Sequence, residues 1–135
     1  MTITLSVRIP TETKNWLQRF AKSRGSAGAA AARLLHESRL REEFPGVEFR
    51  DTPLGRVAFV QGTRVQLALL LVGGKIPTAD AVARHYGWPL WKSASALAYL
   101  RTHLPDVKKE AADLAQAETT LTTRVPGLQR FGGRS

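Results

Sequence analysis

The chain opens on a strict alternation. From Thr2 to Pro10 polar and apolar residues take turns, with Ile3, Leu5, Val7 and Ile9 in one row and Thr4, Ser6 and Arg8 in the other. A period of two predicts a strand with one buried and one free face. The residues that follow have helical spacing, so this strand has no neighbour to pair with inside its own chain. An unpaired edge this apolar is a liability, and the pattern predicts pairing with the same strand of a second copy. The free face of such a two-stranded ribbon carries hydroxyls and one guanidinium, groups that fit the major groove of DNA.

Period two then gives way to period 3.6. Trp16, Leu17, Phe20 and Ala21 fall on one face of a helix, with Thr11 as its expected N-cap and Gly25 as its stop. Ser26 is placed to cap a second helix from Ala27 to about Phe44, whose alanine run favours helix and close backbone approach. Pro45-Gly46 ends it and marks the expected domain boundary, giving a first domain over residues 1–44.

Residues 45–104 form the second expected domain. Val47–Asp51 and Arg56–Val60 read as two strands joined by the turn Thr52-Pro53-Leu54-Gly55. The apolar run from Gln66 to Val72 reads as a helix stopped by Gly73-Gly74. A helix from Ala79 to Tyr86 is capped by Thr78 and ended by Gly87, and a further helix runs from Trp91 to Leu104. Two helices joined through a glycine-containing turn suggest a helix-turn-helix. On them Arg84, Lys92 and Arg101 form a candidate second surface for DNA or a partner, although Trp88, Leu90 and Trp91 crowd the turn where a DNA reader needs polar groups.

The third segment, residues 105–135, begins with a weakly amphipathic helical stretch from Val107 to about Thr120. After Leu121 periodicity is lost, and Pro126, Gly127, Gly132 and Gly133 break the chain. Val125, Leu128 and Phe131 with Arg124, Arg130 and Arg134 are candidate anchors and charges for a segment that folds on a partner; a frayed end is the alternative.

Charge sharpens the picture. The net charge is +9, and most of it lies in the first two domains: residues 1–45 carry eight basic against four acidic groups, residues 46–104 seven against three, and residues 105–135 five against four. That is the electrostatic footprint of a phosphate-backbone binder. A 43% apolar fraction argues against wholesale disorder. The absence of cysteine excludes disulfides, thiolate metal sites and cysteine nucleophiles, and fits a cytoplasmic protein. No run has the length of a membrane span or the pattern of a signal peptide, so the expectation is a protein without a membrane partner that stays where it is made.

Strand, helix, short turn and helix, with an Arg-apolar-Pro exit from the strand, resemble the ribbon-helix-helix family of MetJ and Arc type over residues 2–44. The resemblance implies that two strands pair about a two-fold axis and enter the major groove. Thr4, Ser6 and Arg8 would then read bases. Ser26, with the backbone amides of Ala27 and Gly28, would clamp a phosphate. The family's turn carries one residue between the Gly and the cap, whereas Gly25 and Ser26 are adjacent here.

Residues 45–104 resemble a family of small antitoxin-like proteins with a trihelical, helix-turn-helix-like core, often encoded beside a PIN-type ribonuclease toxin. Gly62-Thr63-Arg64-Val65, Thr78-Ala79-Asp80 and Ala96-Leu97-Ala98-Tyr99 carry that resemblance. It implies a cognate toxin as partner.

Catalytic chemistry is sparse. His36, His85 and His103 are scattered, none at the spacing of a metal pair, and Gly73-Gly74-Lys75 lacks the spacing and the Ser or Thr of a phosphate loop. The sequence therefore predicts a mainly α chain with short β elements: a ribbon-helix-helix dimer followed by a hairpin and a helix-turn-helix-like domain. The expected function is that of a non-enzymatic antitoxin, without metal or cofactor. It would bind operator DNA as a homodimer or higher oligomer, and neutralise a toxin. The alternatives are a stand-alone repressor or partition-type protein with no toxin partner, and a pure protein-interaction module.

Overall fold

The structure is a computed structural model that describes residues 2–23 and 25–124. It is mainly helical, with one two-stranded antiparallel sheet. The elements are α1 (Thr11–Phe20), α2 (Ala27–Glu43), β1 (Val47–Thr52), β2 (Gly55–Val60), α3 (Ala79–Tyr86), α4 (Leu90–Thr102) and α5 (Leu104–Arg124), with short 3₁₀ turns at Ala21–Ser23 and Leu67–Leu70. The chain divides into two compact units, Met1–Arg39 and Leu40–Ser135. The expected boundary at Pro45-Gly46 thus moves upstream into α2, because Leu40 and Phe44 pack into the core of the second unit.

In the first unit residues 2–10 form neither helix nor strand, and the described β pairings all lie elsewhere. A strand exists only when its backbone groups are paired, and a single copy offers this segment no partner. Pro10, not Thr11, is the N-cap of α1, and no side chain caps it; Lys14 N–H bonds to the Pro10 carbonyl at 3.0 Å. The fixed proline φ suits this position. Gly25 has φ +95°, which a β-carbon disfavours, and it separates the helices. Ser26 caps α2 as expected: its Oγ accepts the Ala29 amide at 3.1 Å. The buried centre of this unit is small, comprising Leu17, Ala21 and Ala30 with Phe20, Ala27, Ala31 and Leu34 around them.

The second unit has the larger core. β1 and β2 pair in register from Val47↔Val60 to Thr52↔Gly55, and the Thr52 hydroxyl ties the turn by donating to the Gly55 carbonyl at 2.8 Å and accepting the Leu54 amide at 3.1 Å. Val47, Val60, Leu67, Leu97, Leu100 and Val107 are fully buried together. Tyr99 on α4 sits among rings, edge-on to Phe44 and Phe49 and stacked on His103. Val107 of α5 is buried in this core, with Ala111 and Leu114 packed against it. The helical stretch after Pro105 is therefore part of the second unit's core and not an appendage.

The expected helix from Gln66 to Val72 is a 3₁₀ turn instead. Gln66 and Val72 are held extended by bridges to Phe59 and Lys75, so only Leu67–Leu70 can coil. Gly73 and Gly74 do not stop a helix. With φ of +58° and +78° they form the two-residue turn between Val72 and Lys75, whose backbones exchange hydrogen bonds of 2.9 and 3.0 Å. Such a turn requires positive φ at both central positions.

Candidate nucleic-acid interface

Thr4, Ser6 and Arg8 are exposed, and so is the opposing apolar row. Ile3 is 88% exposed and Leu5 73%, with Val7 and Ile9 also uncovered. On the first helices Trp16, stacked on Phe20, and Leu35 add exposed apolar surface. The unit therefore displays more large apolar side chains than it buries. A unit of this size rarely gathers a sufficient core alone, and a row of this kind marks an interaction face.

At the start of α2, Ser26, Ala27 and Gly28 stand where the sequence placed a phosphate clamp. The Ser26 Oγ is engaged by the Ala29 amide. The amides of Ala27 and Gly28 lie in the first helical turn, whose N–H groups have no acceptor within a helix and make up the positive end of its dipole. Ser26 and Gly28 are exposed.

The three cations expected to line a second surface are not brought together. Arg84 on α3 lines an open cleft of about 500 Å³ with Thr78, Asp80, Ala83, Trp88 and Leu90. Lys92 turns elsewhere: its Nζ lies 5.8 Å from the Trp91 ring, and a β-carbon on Gly62 would approach it to 3.8 Å. Arg101 follows Lys92 by nine positions, which at about 100° per residue sets the two on opposite sides of α4. The turn between α3 and α4 is as read from the sequence. Thr78 Oγ1 accepts the Ala81 amide at 3.2 Å, and Gly87 is left-handed with its N–H on the Ala83 carbonyl.

Both basic residues of the hairpin are spent on structure. Arg50 pairs with Glu48 and lies over the Phe59 ring, while Arg56 pairs with Asp51 at 3.4 Å. Glu48 also accepts the Gly62 amide at 2.8 Å. Burial pushes the Glu48 carboxyl up, but the Gly62 amide, Arg50 and Arg41 outweigh it and hold it below its ordinary value. Thr63 Oγ1 donates to the Val60 carbonyl and accepts the Val65 amide. The Gly62-Thr63-Arg64-Val65 sequence is thus a locked turn after β2, leading into an extended residue rather than opening a helix.

The residue that sequence reasoning missed is Glu110 of α5. It accepts the Ala58 amide, and its Oε2 is buried without a partner. Burial, aided by Asp106 and Asp113, pushes its carboxyl up to about 7. In the sequence it resembles any other charged position of an amphipathic helix.

Among the described residues no group of three His, Cys, Asp or Glu side chains could hold a metal ion, and no helix is long and apolar enough to cross a membrane. Arg124 is the last residue of α5, and Val125, Leu128, Arg130 and Phe131, like Arg134, lie outside the described residues. No protein-family model, curated protein or solved structure matches the chain.

Proposed function

We propose that the protein is a DNA-binding antitoxin that represses its own operator. In this reading the alternating segment pairs with its copy in a second chain, forming a two-stranded ribbon. Ile3, Leu5, Val7 and Ile9 then close over the small core of the first unit. Thr4, Ser6 and Arg8 face the major groove, and the start of α2 holds a flanking phosphate. The observation that carries the reading is the uncovered apolar row, backed by a buried hydrophobic centre that, among the described residues, comprises Leu17, Ala21 and Ala30. The charge of +9 supports a polyanionic ligand.

The second unit and the segment beyond α5 would engage a toxin of the PIN-type ribonuclease class. Co-expression with the product of the adjacent gene tests this part: relief of growth arrest and co-purification support it. Failure of both leaves the stand-alone repressor. The DNA part is tested by titrating a labelled duplex of the gene's own promoter against random duplex at several salt concentrations. Salt-dependent binding that favours the promoter and is lost in Ser6→Pro supports it. Equal binding to both duplexes contradicts it.

A further inference from the structure

Around the turn at Gly62 the second unit gathers cations from three elements. Glu48 of β1 accepts the Gly62 amide and pairs with Arg50. Arg41, in the last turn of α2 and within the second unit, acts on the same carboxylate through space. From α4, Lys92 brings its Nζ to 3.8 Å from where a β-carbon on Gly62 would stand. One carboxylate, already engaged by Arg50 and an amide, therefore has two further cations near it. Among the described residues no ion pair joins Arg41 or Lys92 to an acid. Glu42 and Glu43 follow Arg41 in the sequence, but they stand about 100° and 200° round α2 from it. Arg41, Gly62 and Arg64 are exposed, and Lys92 is half-buried.

We propose that Arg41, Lys92 and the open Gly62 turn form a phosphate-binding surface for the backbone of duplex DNA, distinct from the alternating segment. The cations are held by ordered elements. Thr63 locks the turn, and Lys92 lies beside the Trp91 ring in the first turn of α4. Groups already held in position lose little freedom when an anion arrives. The start of α4 has no side-chain cap, and the positive end of its dipole adds to the same field. Gly62 presents bare backbone, which lets a sugar-phosphate strand come close. A line of phosphates suits this surface better than an acidic protein segment. It releases a counterion at each contact and meets the field of a chain with net charge +9. The contact positions the duplex without reading its sequence, and it does not depend on the ribbon.

The test is the affinity of the full-length protein for a random-sequence duplex, measured across a range of salt concentrations. Arg41→Gln and Lys92→Gln should each lower the slope of log affinity against log salt by about 0.9, a loss of about eightfold at about 0.1 M salt. Glu48→Gln keeps an acceptor for the Gly62 amide and removes the central anion, so binding should tighten by about the same factor. A merely structural role for these residues would instead weaken binding in all three. Arg101→Gln, on the opposite side of α4 from Lys92, should leave the slope unchanged. If Arg41→Gln and Lys92→Gln match Arg101→Gln while the promoter is still preferred, the ribbon stands and this surface is wrong. If Ser6→Pro alters no binding while the three substitutions act as described, this surface stands and the ribbon fails. Absence of duplex binding by wild type at low salt overturns both. If labelled poly-glutamate binds as tightly as the duplex and loses the same factors, the surface serves an acidic protein segment and the proposal falls.

Discussion

The amide of Gly46 donates to Ser95 Oγ at 2.9 Å, joining the chain just after α2 to the middle of α4 across 49 positions of sequence. The approach is close enough that a β-carbon on Gly46 would stand 2.6 Å from the Lys92 carbonyl oxygen and 2.9 Å from Ser95 Cβ. Glycine is required here by contact with backbone, not by its φ. Gly46→Ala should therefore destabilise the second unit by about 1–3 kcal/mol through overpacking. Ser95→Ala, which leaves the Gly46 amide without its acceptor, should cost about 1–2 kcal/mol. Urea unfolding followed by tryptophan fluorescence measures both, and a Gly46→Ala midpoint equal to wild type would contradict the packing described.

Glu110 gives a pH signature. Its carboxyl is raised to about 7 in the folded chain, first by burial and then by Asp106 and Asp113, from an ordinary value of 4.5. The native state thus holds its proton more tightly than the unfolded state. The stability this contributes is complete below pH 4.5 and is lost as pH rises through about 7. Glu110→Gln keeps an acceptor for the Ala58 amide without the charge. It should leave stability nearly unchanged at pH 4.5 and raise it at pH 8 by about 1 kcal/mol, the full shift being discounted because the group is partly exposed. A pH-independent effect of the substitution would refute this account.

These two residues show where sequence reasoning stops. The hairpin was legible because its turn chemistry is local: Thr52 and Gly55 each act within the turn they form. The caps of α2 and α3 were legible for the same reason, since Ser26 and Thr78 bond to amides three residues on. The segment from Gln66 to Val72 was not, because its backbone is decided by pairing with Phe59 and Lys75. Gly46 read as a boundary because nothing near it in sequence reveals that α4 lies against it. The cations Arg84, Lys92 and Arg101 looked like one surface only as long as their helices had no orientation. In the first unit the alternation itself is unmistakable in the sequence, but residues 2–10 form no strand in the single chain.

The proposed ribbon is tested by its apolar row. Leu5→Asp puts a carboxylate where the two strands would close over the core, and Ser6→Pro removes a ladder donor. Each should halve the mass of the assembly. Neither should unfold the second unit, whose core is its own. An unchanged mass for both variants would place the copy-to-copy contact elsewhere.

Ser26 ties the stability of α2 to the proposed phosphate contact. Ser26→Ala removes the acceptor for the Ala29 amide and should cost about 1 kcal/mol of stability. Because a phosphate contact positions without reading sequence, affinity should fall by the same factor on promoter and random duplex. A loss confined to the promoter would make Ser26 a base reader.

Arg8 decides whether the alternating segment reads DNA. Its guanidinium is the one charged group on the polar row. The measurement is the affinity of wild type and Arg8→Ala for the promoter duplex and for random duplex of equal length, at matched salt. A base-reading Arg8 gives a loss of about 1–3 kcal/mol on the promoter and a distinctly smaller loss on random sequence. Equal losses on the two would reduce Arg8 to a phosphate contact, and no loss on either would remove the segment from the DNA interface.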